Sequence, residues 1–469
     1  MNYMENQSRR EFIKSATVLT AAGLTTGAVS TNVFVPGSVL GSNNKIRMGF
    51  IGIGNRGSEL LNIFMKQPDC EIAALCDLYE PFLQRDRSKV DPRWLKDLET
   101  RIHPMGEKFA NQPKLYTDYR KLLDDKSIDA VCIATPDHWH AIQTIDAIRA
   151  GKDVYVEKPL TATIVEGRKM VEAQAASDRV VTVGLNRRGS PLYRKMVQDN
   201  ILSKIGKVTV ARSSRISNMY PDGIGKMKPE EAPKNFNWDM WLGPRAYRPF
   251  QYNIAPYKFR WWKDFSTQMG NWGVHYMDAI RWLMGERAPV AISATGGKYV
   301  LDHDGDIPDT MQVVFEFASG AIVVFSIYEA SSGNIISNGE IELRGTKGTM
   351  FVSEKNYQIV PAKAGQFQNW KDLVAPEEVN QNDELLADGS SSGSTGSLIR
   401  NFLDCVKSRQ KETYCTLEDG HRSTSFAHLA NIAMEVKERL QWDADKERFT
   451  NSDKANKLLH YEYRKPWKI

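Results

Sequence analysis

The chain of 469 residues has only five cysteines, and none of them lies in a C-x-x-C or C-x-H spacing. They are Cys70, Cys76, Cys132, Cys405 and Cys415. An odd number of widely separated cysteines argues against a disulfide framework and against a zinc ribbon. We therefore interpret them as mostly buried thiols.

An excess of charge, long hydrophobic runs and internal repeats are also lacking. The 62 basic residues nearly balance the 57 acidic ones, giving a net charge of +5, and neither sign gathers in a tail. Nucleic acid is therefore disfavoured as the main partner. With 41% hydrophobic and 25% charged residues, the composition excludes collagen, coiled coil and bulk disorder, and the length predicts two domains.

The first 30 residues do not have the pattern of a globular fold. Arg9 and Arg10 precede Phe12 and Lys14, and a Thr/Ala/Gly-rich run over residues 16–29 is too short and too weakly hydrophobic to span a bilayer comfortably. This pattern resembles a twin-arginine signal, which exports proteins that have already folded around a cofactor. It predicts a periplasmic protein without stable membrane insertion. A retained anchor and an ordinary amphipathic helix are the alternatives, and cleavage stays open.

A glycine-rich loop follows the first apolar strand after a linker at residues 31–44. Residues 46–51 lead into Gly52, Gly54 and Gly57, and a second apolar strand ends at Asp77, the distance at which dinucleotide-binding folds place an acid. In such a fold Gly52 makes the turn, Gly54 admits the pyrophosphate, and Gly57 lets the helix pack closely on the strand. Asp77 would bind the adenosine ribose. Because no arginine directly follows it, NAD is favoured over NADP.

Strands and helices alternate through the rest of the first domain, residues 45–185. Apolar runs at 129–136, 153–156 and 180–184 are separated by helical patterns at 140–150 and 166–175. This order predicts an α/β fold, a doubly wound parallel Rossmann sheet that binds its ligand at the carboxyl ends of the strands. Residues 86–114 are longer than a normal crossover and predict an extra helix or a flap.

A Glu-Lys-Pro sequence, Glu157 to Pro159, closes the strand at residues 153–156. A partly desolvated lysine beside a cationic nicotinamide has a physical reason for a lowered pKa, and it can relay a substrate proton. From spacing alone, a solvated lysine in a turn is the stronger interpretation.

Four segments together resemble the Gfo/Idh/MocA oxidoreductase family. They are the GFIGIGNRG loop, ATPDHWH at 134–140, GKDVYVEKP at 151–159 and GNWGVHYMD at 270–278. The resemblance covers nearly all of the chain after the N-terminal segment. It implies an NAD-dependent oxidoreductase acting on hydroxyls of sugars, inositols and related polyols, with Lys158 as its catalytic lysine.

The resemblance and the loop pattern together imply a set of cofactor-binding residues. They are Gly52, Ile53, Gly54, Asn55, Arg56, Gly57, Asp77, Thr135, Pro136, His138, Glu157 and Lys158. His138 and His140 form an H-x-H pair that can bind metal, but no third group of ligands is apparent. A role beside the cofactor or in packing is preferred, and no metal is predicted.

A predicted helix over residues 270–283 places Asn271, His275 and Asp278 on one face. Many members of the family have Asp where this chain has Asn271, with the acid/base histidine four residues later. An amide cannot orient a histidine electrostatically as a carboxylate does. We expect His275 to remove the proton from the reacting hydroxyl and Lys158 to polarise its oxygen.

Asp264 or Glu157 is a candidate for the charge that Asn271 lacks. An aromatic-rich region at residues 238–262 precedes the helix, and aromatic faces bind the apolar faces of sugars. Core packing and a subunit interface account for most of these rings. The substrate contacts that we single out are Arg260, Trp261, Trp262, Asp264 and Asn271.

The second domain, residues 186–469, is rich in predicted strands from about residue 205. They lie at 207–213, 290–296, 310–317, 321–329, 339–344 and 349–352. They predict an α+β domain with a large, open, mostly antiparallel sheet that pairs between subunits in a homodimer or homotetramer. Residues 383–397 predict a flexible loop, followed by helices at 398–407 and 421–439.

Three functions remain open, each with a carbohydrate ligand and a tightly bound NAD. The first is an exported sugar or glycoside dehydrogenase that oxidises a ring hydroxyl such as the one at C3. The second is an NAD-dependent glycosidase, in which transient C3 oxidation acidifies the C2 proton and elimination cleaves the glycosidic bond. A related α-N-acetylgalactosaminidase branch has a second-domain histidine pattern that is not recognisable here. The third, a non-catalytic sugar-binding protein, is suggested by Asn271 and disfavoured by Lys158 and His275.

Overall fold

The computed structural model describes residues 45–381 and 393–469. The export signal predicted for residues 1–30 and the linker at 31–44 lie outside the described residues. Within them, a parallel sheet is followed by a larger, mostly antiparallel sheet. The predicted fold class is confirmed.

The first sheet has six parallel strands in the order β3-β2-β1-β4-β5-β6. The strands are β1 Ile46–Ile51, β2 Cys70–Cys76, β3 Lys114–Tyr116, β4 Ala130–Ile133, β5 Asp153–Val156 and β6 Val181–Val183. The helices of this part are α1 Asn55–Phe64, α2 Glu80–Leu83, α3 Pro92–Asp97, α4 Tyr119–Asp124, α5 Asp137–Arg149 and α6 Ile164–Ala175. Strand order reverses between β1 and β4, and a crevice forms at such a switch point.

The central strands have side chains that suit burial on both faces. β4 and β5 are buried along their whole length, and β1 is buried except at Arg47. Parallel strands covered by helices on both faces have continuous apolar runs rather than alternating ones. This pattern made the sheet predictable from sequence.

The long segment between α2 and β3 contains a 3₁₀ turn at Arg87–Lys89 and the short helix α3. It packs against the start of the second domain. The Trp94 indole donates to the Tyr252 carbonyl oxygen at 3.3 Å, and the Tyr252 hydroxyl donates to Asp91 at 2.7 Å. The extra helix expected here is present, and the segment is anchored.

The second sheet has ten strands in the order β14-β13-β12-β11-β7-β10-β9-β8-β15-β16, and only the β7–β10 pair among its described pairs is parallel. The strands are β7 Val208–Ile216, β8 Ala291–Gly297, β9 Thr310–Glu316, β10 Ile322–Tyr328, β11 Ile341–Gly345, β12 Gly348–Val352, β13 Asn356–Pro361, β14 Glu377–Asn380, β15 Leu440–Asp443 and β16 Arg448–Phe449. Its helices are α7 Pro191–Gln198, α8 Trp238–Leu242, α9 Val274–Met284, α10 Gly393–Ser408, α11 Leu417–Val436 and α12 Asp453–Asn456. Strands β13 to β16 were not predicted, because they are short or strongly polar.

Helices α7, α9 and α11 share one apolar core with the second sheet. Met277 and Ile280 of α9 and Phe426 of α11 are buried together with Phe315 and Phe325 of the sheet. The order of strands and the positions of these helices place the N-terminus of α9 beside the crevice of the first sheet.

One loop prediction was wrong in part. Helix α10 begins at Gly393, so residues 393–397 of the predicted flexible loop are helical, while 382–392 lie outside the described residues. Leu398 and Phe402 of this helix are completely buried, and this packing explains why the helix extends through a Ser/Gly-rich start.

All five cysteines are buried free thiols, as the sequence predicted. Among residues 45–381 and 393–469, no helix combines the length and the apolar character needed to cross a bilayer. The same residues contain no cluster of three or more metal-ligating side chains.

Candidate active site

A cavity of about 310 Å³ lies at the carboxyl ends of β1, β4 and β5, where the second domain meets the first sheet. Its walls combine the glycine loop, the ends of the central strands and the segments at 236–260 and 269–275. Predicted site residues among its lining are Gly52, Gly54, Asn55, Arg56, Asp77, Thr135, Pro136, Glu157, Lys158, Arg260, Asn271 and His275.

The glycine loop is closely packed against the neighbouring strand. Gly52 has a φ of +81°, and a Cβ there would lie 2.9 Å from the carbonyl of Ala134. A Cβ on Gly57 would lie 2.0 Å from the carbonyl oxygen of Gly52. Only glycine therefore lets α1 approach β1 this closely, and the N-terminus of α1 faces the cavity through Gly54.

Asp77 closes β2 and shapes the loop from the other side. Its carboxylate accepts hydrogen bonds from the backbone N–H groups of Ile53 at 2.8 Å and Tyr79 at 3.0 Å. Burial raises the pKa of Asp77, and these two N–H groups oppose the effect. The Ile53 side chain itself is buried in the core, so this residue contributes its backbone rather than its side chain.

Arg56 joins the glycine loop to the end of β5. Its Nε donates to Glu157 Oε1 at 2.9 Å, and its Nη1 donates to Glu59 at 2.8 Å. Glu157 Oε2 also accepts the backbone N–H of Lys158 at 3.1 Å. On the opposite side, Asn55 donates to the Arg101 carbonyl at 2.9 Å. The loop, the strand end and the segment after α3 are thus held together.

Lys158 extends from the end of β5 to the start of the second domain's helical segment. Its Nζ donates to the Asn271 carbonyl oxygen at 2.7 Å and to Asn271 Oδ1 at 3.3 Å. Burial lowers the pKa of Lys158 from 10.5 to about 8, although the Glu157 carboxylate opposes this shift. Lys158 can therefore exist in both protonation states near neutral pH.

His275 lines the same cavity on the first turn of α9. Burial, together with the positive charges of Lys158 and Arg187, lowers its pKa well below 6.5. The imidazole is therefore neutral near pH 7 and has a nitrogen able to accept a proton. A lysine donor and a histidine acceptor face one cavity.

A π-helical turn at Met269–Gly273 precedes α9. Asn271 and His275 both line the cavity, but Asp278 does not. The Asp278 carboxylate is buried and forms an ion pair with Arg188 at 2.8 Å. Of the three residues predicted to share one face, Asp278 therefore does not reach the cavity, because it lies nearly one turn further along α9 and pairs with Arg188 there.

Six predicted site residues lie outside the lining of this cavity: Ile53 and Gly57 of the glycine loop, and His138, Trp261, Trp262 and Asp264. His138 is completely buried, packs edge-on against Trp241 and at a tilt against Phe265, and its Nε2 lies 2.9 Å from the Trp241 carbonyl oxygen. The Trp261 indole donates to Glu329 at 2.9 Å, and the Trp262 indole donates to the Asn253 carbonyl at 2.8 Å. The structure gives all three rings packing roles.

Asp264, the sixth, lies 3.5 Å from Arg248 and is half exposed. It therefore does not supply the charge that Asn271 lacks. Glu157 is the one of the two candidate acids that lines the cavity.

The sequence interpretation missed Asp137, the first residue of α5. It lines the cavity, is 7% exposed, and accepts a hydrogen bond from the Ser266 hydroxyl. Burial raises its pKa, and the hydrogen bond from Ser266 together with the positive charges of Arg260 and Lys158 opposes the shift. Its position directly after β4 was the available signal, because the ends of central strands carry functional groups in this kind of sheet.

Polar and aromatic groups complete the cavity on the side of the second domain. Arg260 lies over the rings of Tyr257 at 4.3 Å and Phe259 at 4.4 Å, and burial lowers its pKa. Asn186 presents an Oδ1 that has no hydrogen-bond partner among the described residues. Aromatic faces beside unpaired polar groups are the features by which proteins bind polyhydroxylated rings.

The residues present fit a dinucleotide. The crowded Gly52, the N-terminus of α1 at Gly54 and Asn55, and the carboxylate of Asp77 border one continuous space. Backbone N–H groups there suit a pyrophosphate, and an acid at the end of β2 suits a ribose.

Two family models match the chain over most of its length. Residues 46–185 match the Gfo/Idh/MocA model described as an oxidoreductase family with an NAD-binding Rossmann fold. Residues 188–375 and 390–469 match the C-terminal alpha/beta domain of the same family.

Individual proteins are similar over different shares of the chain. An alpha-N-acetylgalactosaminidase from Shewanella oneidensis is 30% identical over 186 residues, which cover 36% of this chain and 37% of that protein. Levoglucosan dehydrogenase in complex with NADH and levoglucosan has a TM-score of 0.58 at 19% identity, over 85% of this chain and 99% of its own. An oxidoreductase domain protein from Kribbella flavida reaches a TM-score of 0.61 at 20% identity, with the same coverage. These two structures are similar in fold.

Proposed function

Because this chain belongs to the Gfo/Idh/MocA oxidoreductase family and has its NAD-binding Rossmann domain, we propose that it oxidises a ring hydroxyl of a sugar or glycoside. The observation that carries the proposal is the pairing of Lys158 with a neutral His275 in the cavity that also contains the glycine loop and Asp77. NAD is preferred over NADP, since Asp77 would repel a 2′-phosphate.

The carbohydrate substrate is supported by the cavity wall and by the relatives. Arg260, Asn271 and Asn186 offer hydrogen bonds beside the aromatic faces of Tyr257 and Trp272. A structural neighbour is a levoglucosan dehydrogenase, and a relative in sequence is an alpha-N-acetylgalactosaminidase. Both act on sugars by name.

Proton transfer in this proposal depends on two side chains. The neutral imidazole of His275 takes the proton of the reacting hydroxyl, and the Lys158 ammonium stabilises the negative charge that develops on the oxygen. Bound NAD supplies the hydride acceptor for such an oxidation. Asn271 holds Lys158 through its carbonyl and amide oxygens, so the amide takes part in orienting the lysine.

A glycosidase that uses transient oxidation is the second candidate, favoured by the similarity to the galactosaminidase over 36% of the chain. A carbonyl group at C3 acidifies the C2 proton, and elimination then breaks the glycosidic bond. Water adds across the resulting C1–C2 double bond, and reduction of the ketone restores the C3 hydroxyl. The same pair of side chains, Lys158 and His275, would handle the protons.

Product analysis separates the two candidates. The purified protein is incubated with aryl glycosides and disaccharides, and keto-sugar, free aglycone and reduced cofactor are measured together. Keto-sugar with an intact glycosidic bond supports the dehydrogenase, and aglycone without net reduced cofactor supports the glycosidase. Lys158→Ala should abolish either reaction, whereas Lys169→Ala, on the exposed face of α6, should not. If the wild-type protein forms neither keto-sugar nor free aglycone, both candidates are overturned.

We also propose that residues 1–30 are a twin-arginine signal and that the protein works in the periplasm with a tightly bound cofactor. The support is the Arg9-Arg10 motif and its weakly hydrophobic run. Cell fractionation of the wild-type chain and of an Arg9→Lys/Arg10→Lys variant tests this. Export should be lost in the variant, and a wild-type chain found only in the cytoplasm would contradict the proposal.

A homodimer or homotetramer formed through the second sheet is a further part of the proposal. The face opposite α9 and α11 exposes cross-strand apolar pairs, Ile322 beside Val210 and Val324 beside Val314. Size-exclusion chromatography with light scattering gives the molar mass of the protein in solution. Val324→Glu should lower this mass towards that of one chain, and a monomeric wild-type protein would contradict the proposal.

A further inference from the structure

A second cavity of about 300 Å³ lies behind the wall of the candidate active site. The two cavities share two lining residues, Asp137 and Pro159. Hydroxyl groups of Thr161, Ser266 and Thr267 contribute polar atoms to the lining of the second cavity. Its rim includes the exposed side chains of Lys263, Asp264 and Glu435. A space of this size that reaches the surface and has hydroxyl groups on its wall admits water.

The only carboxylate common to both linings belongs to Asp137. Its Oδ2 accepts a hydrogen bond from the Ser266 hydroxyl, and Ser266 lines the second cavity but not the first. One buried hydrogen bond therefore connects the space beside Lys158 with a space that is open to solvent.

The proposed reaction needs such a connection. Each oxidation releases the proton of a substrate hydroxyl inside a cavity that substrate and cofactor fill, and the base must lose that proton before the next turnover. The other acids of the cavity are occupied: Glu157 pairs with Arg56, Glu59 pairs with Arg56 and His103, and Asp77 accepts backbone N–H groups.

We propose that Asp137 and Ser266 carry the released proton from the active-site cavity to water in the second cavity; the inference rests on the proposed oxidation. The Lys158 ammonium gives one N–H proton to the Asp137 carboxylate, and an O–H bond forms there. The His275 imidazolium, which holds the substrate proton, then returns a proton to the lysine amine, so that both side chains regain their starting states. The protonated carboxyl then donates to Ser266 Oγ, and the hydroxyl passes its own proton to water. No oxidant or reductant takes part.

The electrostatic surroundings favour this exchange. Burial raises the pKa of Asp137, and burial lowers the pKa of Lys158 to about 8, so the two groups approach each other in proton affinity. The charged and titratable groups around the path are Lys158, His140 and Arg260 beside Asp137, and Arg245, Lys263, Asp264, His428 and Glu435 in the second cavity.

The test first identifies a sugar that the wild-type protein oxidises. The steady-state turnover of this sugar is then compared between the wild-type protein and three variants. Asp137→Asn keeps the shape of the side chain but cannot take the proton, and we expect kcat to fall about 10²-fold or more. Ser266→Ala should lower kcat less and raise the solvent deuterium isotope effect. Asp146→Asn is the matched control, because its carboxylate accepts a hydrogen bond from the Tyr119 hydroxyl at 2.8 Å on the same helix, α5.

Formate distinguishes proton transfer from a merely structural role. As a small diffusible base, it should restore turnover of Asp137→Gly, in which the shortened side chain leaves room for it, but not of Lys158→Ala. If the Asp137 variants fail to fold, the isotope effect of Ser266→Ala still tests the inference. A wild-type-like isotope effect in Ser266→Ala, or a folded Asp137→Gly that formate does not rescue, would overturn the inference while the proposed function stands. Absence of sugar oxidation by the wild-type protein would overturn both.

Discussion

Lys158 brings a positive charge into a buried cavity, and the energetic cost of that burial is visible in its lowered pKa. In the unfolded chain the lysine stays protonated to about pH 10.4, so at pH 7 the folded state holds an ammonium that would be more stable in water. Function, rather than stability, accounts for a charged group at this place.

Lys158→Met should therefore separate activity from stability. The methionine fills a similar volume without a charge, so turnover should fall at least about 10²-fold while the urea midpoint at pH 7 stays the same or rises. Denaturation curves with product assays check both effects. A large loss of stability would show that the bonds to Asn271 outweigh the cost of burial.

The pH dependence of the reaction should report the same lysine. Above a pH of about 8 the folded Lys158 loses its proton and can no longer stabilise negative charge on the substrate oxygen, so kcat/KM should fall there. Lys158→Arg should be slower but should keep its activity through this range, because an arginine stays charged. A wild-type profile that is flat to pH 10 would contradict this role.

At the scale of elements, the contact between α1 and β1 depends on a glycine. A methyl group at position 57 would lie 2.0 Å from the Gly52 carbonyl oxygen, so α1 would have to move away from the strand. Movement of α1 also displaces the N–H groups at its start, which face the cavity.

Gly57→Ala should accordingly weaken both folding and NAD binding. We expect a loss of about 1–3 kcal/mol in unfolding free energy from overpacking, and weaker NAD binding measured by calorimetry. Gly365→Ala is the control, since a Cβ there has no atom within 4 Å. If Gly57→Ala and Gly365→Ala have the same unfolding free energy and the same affinity for NAD, the close packing of α1 on β1 is contradicted.

For the molecule as a whole, buried neutral histidines make stability sensitive to acid. Burial lowers the pKa values of His138 and His428 to about 3, and the pKa of His275 well below 6.5. Below pH 6.5 the unfolded chain binds protons at these positions that the folded chain does not bind. The unfolding free energy should therefore decrease as pH falls from 6.5 towards 3.

Urea denaturation at several pH values between 7.5 and 4 measures this decrease. His138→Gln retains an N–H donor for the Trp241 carbonyl but does not titrate, so its stability should fall less steeply with acid than that of the wild-type protein. If the unfolding free energy of the two proteins decreases equally steeply with falling pH, His138 is not buried in its neutral form.

The sequence by itself was sufficient to predict the parallel sheet, its glycine loop and the acid at the end of β2. Each of these depends on residues that are neighbours along the chain: apolar runs bounded by helical patterns, and glycines at fixed offsets. The positions of Lys158 and Asp77 at strand ends follow from the same order, because parallel strands end at one edge.

Only the tertiary structure decided which side chains share the cavity. Asp137 meets Ser266 from 129 residues away, Asp278 pairs with Arg188 from 90 residues away, and His138 is enclosed by Trp241 and Phe265. Such contacts join segments far apart in the chain, and local periodicity contains no information about them. Packing between distant segments therefore determined which side chains meet in the site, while the local pattern predicted the parallel sheet and its glycine loop.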